Sequence, residues 1–93
     1  MTIIGSIQRE VSESYGVPLK DMLSKKRKKH IVESRQVAMY LARERDKSFP
    51  YIGQAFGRDH STVHYACDTV RKRMESDSEY KERVDAVRQK LRS

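Results

Sequence analysis

The stretch FGRDHSTVHY, residues 56–65, places a glycine directly before a helix that opens with an acid, an imidazole and two hydroxyls. The helix is indicated by apolar residues at i, i+4, i+7 and i+11, which form one stripe along it. The stripe consists of Val63, Cys67, Val70 and Met74. The opposite side, predicted to face outward, carries Ser61, Tyr65, Asp68 and Lys72. The polar groups at the start of the helix suit base edges and phosphates better than a protein core.

A short helix is predicted immediately before this one. Pro50 suits its first turn, and Ile52, Ala55 and Phe56 would lie on one face. A short helix, a glycine turn and a second helix with a polar start are typical of a helix-turn-helix, here at about residues 49–75. In that motif the second helix is the recognition helix, whose first residues contact DNA bases.

The composition favours a polyanionic partner. The 93 residues include 20 lysines and arginines against 13 acidic residues, which gives a formal net charge of +7. A chain of this length makes one domain, predicted to span residues 1–93, and nucleic acid is the usual partner of so basic a domain. No apolar run approaches the roughly 20 residues that cross a bilayer, and residues 1–5 lack the pattern of a secretion signal. With its single cysteine, the chain is expected to be cytoplasmic, at the nucleoid, with no membrane partner.

The rest of the chain is predicted to be helical. Gly16 is a natural end for the first helix, and Pro18 opens a short helical turn after it. No segment alternates with a period of two, so we expect an all-α bundle of about six helices. The predicted helices outside the motif lie at about residues 2–15, 19–23 and 34–45, with a last one that starts from a capping box at residues 76–79. The predicted core includes Tyr15, Tyr40 and Tyr80, whereas Tyr51 and Tyr65 are expected to be exposed.

A basic loop is predicted at residues 24–30. It contains five cations in succession, Lys25-Lys26-Arg27-Lys28-Lys29, without apolar periodicity, and such a run is solvated. Arg27 is its only arginine, and arginine is preferred in a narrow A/T-rich minor groove, where the negative potential is enhanced. Arg35 and Arg43 lie about two helical turns apart on the third predicted helix. Together with the loop they predict a track of phosphate contacts.

This order of features resembles the C-terminal DNA-binding domain of DnaA, the bacterial replication initiator, over nearly the whole chain. The matching segments are LSKKR at residues 23–27, SRQVAM at 34–39 and FPYIGQAFGRDHSTV at 49–63. The last segment is very specific, whereas the basic run alone would be weak. The resemblance implies sequence-specific binding to short A/T-rich DnaA boxes, of the TTATCCACA type, in double-stranded DNA. It also implies major-groove contact by the helix-turn-helix and minor-groove contact by an arginine of the basic loop.

The resemblance further implies roles for individual residues. Arg27 would enter the minor groove, and Pro50 would touch a thymine methyl. Asp59, His60 and Ser61 would contact bases from the start of the recognition helix. From the resemblance and the basic run together, phosphate contacts are expected at Lys25, Lys26, Lys28, Arg35, Gln36, Arg43, Thr62 and Tyr65. Asp59 also suits the N-cap of the recognition helix, and the sequence leaves open whether it is a cap only or a base contact as well.

The chain departs from the family pattern at four positions. Ser61 stands where threonine is common, which removes a methyl group, and Tyr65 stands where a phosphate-contacting histidine is usual. Ser34 occupies a position often taken by proline, and Gly57 is single where many members have two glycines. These differences affect the preferred DNA site more than the fold.

Neither a nucleotide site nor a catalytic site is expected. The initiator is an ATPase, but the four glycines of this chain form no G-x-x-x-x-G-K-[ST] loop. We therefore expect no cofactor, no ATP binding and no enzymatic activity, and a monomer in isolation. His60 and His64 lack a third ligand, so no metal is expected, and Cys67 is interpreted as an unreactive core residue.

Two alternatives stay open. The chain is either a domain of the initiator or a stand-alone relative, such as an independent box-binding regulator or a protein of a mobile element. An RNA-binding or protein-interaction module of helical fold would also explain the charge. Preference for duplex RNA or single strands would favour that module, because the start of a recognition helix cannot enter the deep, narrow major groove of A-form RNA.

Overall fold

Local sequence signals set the ends of the helices. In the computed structural model, which describes residues 2–92, Thr2 caps the first helix because its Oγ1 accepts a hydrogen bond from the Gly5 amide at 2.9 Å. That helix ends at Gly16, whose φ of 64° lies in the left-handed region. Ser48 caps the fourth helix through the Tyr51 amide at 3.2 Å. The helices are α1 Ile3–Tyr15, α2 Leu19–Met22, α3 Lys29–Glu44, α4 Phe49–Phe56, α5 His60–Ser76 and α6 Ser78–Arg92.

The predicted fold class is confirmed. Residues 2–92 form six helices and no strand, and the predicted helix-turn-helix corresponds to α4 and α5. Within the same residues, none of the helices has the length and apolar character needed to cross a membrane.

The start of α3 differs from the prediction. The helix begins at Lys29 instead of Ser34, so Lys29 belongs to α3 and the basic loop is shorter than expected. The cause is Ile31, which is only 3% exposed and extends the buried face of α3 toward its N-terminus. From here on, the basic loop means residues 24–28.

The cap of α6 also differs from the prediction. Asp77 is the N-cap, since its Oδ1 accepts from the Tyr80 amide at 3.0 Å. Ser76 is the last residue of α5, so the predicted capping box led by Ser76 is wrong. Asp77 is therefore the single residue that separates α5 from α6.

The core forms around α3, which packs against α1, α2, α4 and α5, while α6 packs against α1 and α5. Burying a large aliphatic or aromatic side chain contributes about 1.5–3 kcal/mol, so this core holds the inner sides of α4 and α5 firmly. Fully buried side chains include Ile7, Val11, Met22, Val37, Met39, Ile52, Phe56, Val63, Val70, Val84 and Val87. The outer surfaces of α4 and α5 stay free for contacts.

The three tyrosines predicted to lie in the core differ in how deeply they are buried. Tyr80 is buried, whereas Tyr15 and Tyr40 are half-buried and pack against the core. Cations cover two of these rings: the Arg73 guanidinium lies 4.3 Å from the Tyr80 ring centre, and that of Arg83 lies 4.1 Å from the Tyr15 ring centre. The aromatic edge is therefore shielded by arginine side chains as well as by helices.

Candidate nucleic-acid interface

A tight turn joins α4 to α5. α4 ends at Gly57, whose φ of 66° is left-handed, and the Arg58 amide donates to the Gly53 carbonyl at 2.8 Å. A Cβ atom at Gly53 would lie 2.4 Å from the Arg58 carbonyl oxygen, so the turn can approach α4 this closely only because residue 53 is a glycine. The two glycines thus fix where α5 begins relative to α4.

The recognition tip, residues 59–62 at the start of α5, is exposed throughout. Asp59 is the N-cap: its Oδ1 accepts from the Ser61 hydroxyl at 2.6 Å and from the Thr62 amide at 3.0 Å. The Ser61 hydroxyl first, and then the Thr62 amide, hold the pKa of Asp59 below its usual value. Both of these hydrogen bonds end on Oδ1, and the exposed carboxylate is accessible to an external donor.

The basic loop lies between α2 and α3 and carries its four cations exposed. Its first residue forms a local turn, because the Ser24 hydroxyl donates to the Asp21 carbonyl at 2.6 Å and accepts from the Lys26 amide at 3.1 Å. The Lys26 ammonium also pairs with the Asp21 carboxylate at 2.9 Å. The loop is thus internally ordered, and Lys26 is partly neutralised.

Arg35 lies under the basic loop instead of on the surface. The residue is 6% exposed, its Nε donates to the Met22 carbonyl at 2.8 Å, and its Nη2 donates to the carbonyls of Ser24 at 2.8 Å and Lys26 at 3.0 Å. Arg35 and Arg43, which the sequence groups with the basic run in one phosphate track, thus differ in exposure, since Arg43 is exposed. Whether Arg35 also touches a phosphate stays a prediction.

Arg58, which was not among the predicted site residues, joins the turn of the helix-turn-helix to the same loop. Its Nη2 donates to the Ser24 carbonyl at 2.8 Å, and its Nη1 donates to the Phe56 carbonyl at 3.0 Å. Burial, followed by the charges of Arg58 and Arg27, lowers the pKa of Arg35. Two further guanidinium charges therefore act on Arg35, and the combined positive potential of the three groups favours an anion.

A groove of about 600 Å³ separates the basic loop from α5, and we call it the loop–helix groove. Its lining combines charged, amide, hydroxyl and phenol groups with the apolar side chains of Val32, Met39 and Ala66. Its lining residues include Lys25, Arg27, Arg35, Gln36, Arg58, Thr62 and Tyr65. The structure therefore brings together on one surface six of the predicted site residues and Arg58. Tyr65 projects with 69% of its surface exposed, as expected.

A second group of predicted residues lies at the start of α4. The Arg43 guanidinium lies 4.3 Å from the Phe49 ring centre, and its Nη1 donates to the Lys47 carbonyl at 3.0 Å. The His64 ring also packs against Phe49, with 5.0 Å between the two ring centres. Pro50 is exposed beside them. Arg43 and Pro50 thus belong to a patch outside the loop–helix groove.

Acidic charge on the outer side of α5 is neutralised locally. Asp68 pairs with Arg71 at 2.7 Å and with Lys72 at 3.2 Å, and these partners, Arg71 first, lower the pKa of Asp68. The charge of Asp68 is therefore matched within α5 itself, whereas Lys25, Arg27 and Lys28 of the basic loop form no ion pair among residues 2–92.

Cys67 of α5 packs against the edge of the core. Ala66, not Cys67, takes the fully buried position, and Cys67 is half-buried. Burial, opposed by the nearby Arg43 charge, raises the pKa of the Cys67 thiol to about 11. Within residues 2–92, no group of three or more His, Cys, Asp or Glu side chains is placed to hold a metal ion.

Comparisons with known proteins identify the family of this chain. The family described as "Bacterial dnaA protein helix-turn-helix" matches residues 4–70, which include the basic loop, α3, the turn and the first half of α5. The protein named "Chromosomal replication initiator protein DnaA" from Limosilactobacillus reuteri strain DSM 20016 is 42% identical over 92 residues, and that of strain JCM 1112 is equally similar. The alignment covers 97% of this chain and 21% of each relative, so the chain spans about a fifth of their length.

Proposed function

The chain belongs to the bacterial DnaA helix-turn-helix family and is a DNA-binding module of that type, and we propose that it recognises A/T-rich, DnaA-box-like sites in double-stranded DNA. Arg27 would enter the minor groove, and the recognition tip would enter the adjacent major groove. The proposal concerns this module alone, because the relatives are about five times as long.

The loop–helix groove is the observation that supports this proposal best. The basic loop forms one side of it and the first two turns of α5 form the other. Adjacent minor and major grooves of a duplex are separated by the backbone of one strand. A protein that places Arg27 in one groove and the recognition tip in the other must hold that backbone between them. A positively charged channel in this position suits a phosphodiester chain.

The recognition tip is suited to base edges. The exposed Asp59 carboxylate, in which Oδ1 accepts from Ser61 and Thr62, would accept through Oδ2 from the N4 amino group of a cytosine and would repel bases that offer only acceptors there. The Ser61 hydroxyl donates its proton to Asp59, so its oxygen would act toward DNA as an acceptor. His60 would contact the neighbouring base. Pro50, exposed on α4, would touch a thymine methyl.

Phosphate contacts would position the module without specifying sequence. We propose that Gln36, Thr62 and Tyr65 contact the strand in the loop–helix groove, and that Arg43 contacts a phosphate beside the start of α4. Lys25, Lys26 and Lys28 would add charge from the basic loop, although Lys26 shares its charge with Asp21.

The wider role follows from the relatives' name. We propose that the module serves origin recognition in replication initiation, as a monomer that neither binds nor hydrolyses ATP. A stand-alone regulator would use the same residues on the same kind of site. Equilibrium dialysis of the purified chain with ATP and magnesium tests the nucleotide part, and saturable binding would contradict it.

Selection of bound duplexes from a random pool tests the main proposal. The expected product is one enriched A/T-rich motif of about ten base pairs, with discrimination against random duplex of at least about a thousandfold. An equal pool of structured RNA and single strands is selected in parallel. Enrichment of RNA, or of no duplex sequence, would contradict the proposal and favour an RNA-binding or protein-interaction module.

A further inference from the structure

Arg58 connects two surfaces that are far apart in the sequence. Its guanidinium spans the Phe56 carbonyl at the end of α4 and the Ser24 carbonyl in the basic loop, 34 residues away. The side chain is half-buried and takes part in no ion pair among residues 2–92. Its internal bonds therefore serve to tie the recognition turn to the loop.

Arg35 holds the same loop from helix α3. From α3 it donates to the carbonyls of Met22, Ser24 and Lys26, which span the end of α2 and the first half of the loop. Lys28 follows as the N-cap residue of α3. Arg27 is therefore the one residue between the carbonyl of Lys26, which Arg35 fixes, and Lys28, the N-cap of the helix.

We propose that Arg58 and Arg35 are positioning residues that set the place and orientation of Arg27 relative to the recognition tip. The inference rests on the proposed function, because it assigns to Arg27 the minor-groove contact. Arg58 lies between the turn residue Gly57 and the cap Asp59, so its backbone is fixed in place together with the recognition tip. The bond to Ser24 transmits this position to the loop. The two DNA contacts are thereby held at one fixed separation.

The arrangement depends on the shape of arginine and not on charge alone. A guanidinium is a planar fork that donates to two carbonyls at once, whereas an ammonium is a compact point charge on a flexible stem. Arg58→Lys therefore keeps the charge near DNA and loses the bridge. A role of Arg58 as a plain phosphate contact predicts the reverse, a lysine that substitutes well.

The first experiment needs no DNA. Trypsin cleaves after lysine and arginine, and the basic loop offers four such sites. Folding and melting temperature of each variant are first established by circular dichroism. Cleavage is then followed by mass spectrometry at a temperature where all variants are folded. We expect Arg58→Lys to be cut within residues 25–28 at least about threefold faster than wild type. The matched control is Arg9→Lys, an exposed arginine of α1 outside the loop–helix groove.

The second experiment measures the ratio of affinities for the selected site and for a random duplex in a double-mutant cycle. Arg58→Lys should lower this ratio by about tenfold, which corresponds to about 1.4 kcal/mol. In an Arg27→Ala background the same change should lower it less than about twofold, because a positioning residue has nothing left to position. The salt dependence of Arg58→Lys should equal that of wild type.

The outcomes separate this inference from the proposed function. Unchanged cleavage of the loop in Arg58→Lys, or a tenfold loss that persists in the Arg27→Ala background, would overturn the positioning role. A wild-type chain without any duplex preference would overturn the proposed function, and the cleavage result would then still decide whether Arg58 holds the loop.

Discussion

Arg35 on α3 and Arg58 in the turn before α5 donate to the same atom, the carbonyl oxygen of Ser24, each at 2.8 Å. One acceptor thus holds two cations from different parts of the chain, and the charge of Arg58 helps to lower the pKa of Arg35. An anion in the loop–helix groove would reduce their mutual repulsion. Binding of a phosphate backbone there should therefore stabilise the fold as well as the complex.

The salt dependence of binding reports how many phosphates the surface engages. If the basic loop and Arg43 engage about five phosphates, log affinity should fall against log salt with a slope of about −4 to −5. Fluorescence anisotropy with a labelled duplex at several salt concentrations measures this slope. A slope shallower than about −2 would contradict the proposed phosphate contacts.

Arg27 and Lys28 are neighbours in the basic loop with different expected roles. Arg27→Ala should cost roughly 1–3 kcal/mol on the best duplex and relax the A/T preference at one end of the site. Lys28→Ala, the matched control, should weaken all duplexes about equally. Titration of both variants against the selected site, an end-substituted site and a random duplex tests this. Equal losses on all three duplexes for Arg27→Ala would make it a phosphate contact only.

Asp59 combines a cap with a proposed base contact, and two substitutions separate these roles. Asparagine is as good an N-cap as aspartate, so Asp59→Asn should melt near the wild-type temperature yet lose about tenfold in preference for the selected site. Asp59→Ala should lower both the melting temperature and the preference for the selected site. Melting temperature and the ratio of specific to random affinity are measured for each variant, with His60→Ala as a second probe of base contact. If Asp59→Asn retained the full ratio, the carboxylate would be a cap and nothing more.

The sequence predicted the helix-turn-helix because its signals are local. Pro50 near the start of α4, Gly57 at its end and the cap Asp59 each act within a few residues, and the structure places all three where expected. The family resemblance added the basic loop and Arg27 to the same surface, and both line the loop–helix groove or adjoin it.

The role of Arg35 could not be predicted from the sequence. Its acceptors lie 9 to 13 residues earlier in the chain, and they are backbone carbonyls that carry no sequence signature. Arg58 bonds across 34 residues in the same manner. Likewise, α3 begins early because Ile31 is covered by other helices, and a cation-rich segment gives no local sign of this.

At Gly53 in α4, even the addition of a methyl group should destabilise the fold. In Gly53→Ala the new Cβ would meet the Arg58 backbone oxygen, which cannot move without opening the turn. We expect a loss of about 1–3 kcal/mol in the free energy of unfolding, despite the better helix propensity of alanine. Urea denaturation measures it. Gln54→Ala, an exposed neighbour on the same helix, should stay within about 0.5 kcal/mol of wild type.

Cys67 should behave as a protected thiol. Because burial raises its pKa to about 11, very little thiolate is present at pH 8, and alkylation of the folded chain should be much slower than that of the chain in denaturant. A thiol with a raised pKa favours the folded state below its unfolded pKa, near 9, and that contribution is lost as pH rises toward 11. Iodoacetamide labelling followed by mass spectrometry at pH 8 and 10 checks the order of rates. Equal rates at pH 8 for folded and unfolded chain would contradict the assignment.

Because a single residue separates α5 from α6, the length of this junction fixes how the two helices are placed relative to each other. Asp77 has extended backbone angles, φ −134° and ψ 101°, so the chain passes from α5 into α6 through this one residue. A residue inserted beside it would shift α6 against α1 and α5, and Tyr80, Val84 and Val87 would lose their places in the core. This junction is therefore sensitive to its length, and the helix that bears the recognition tip is held at its far end by a connection of one residue.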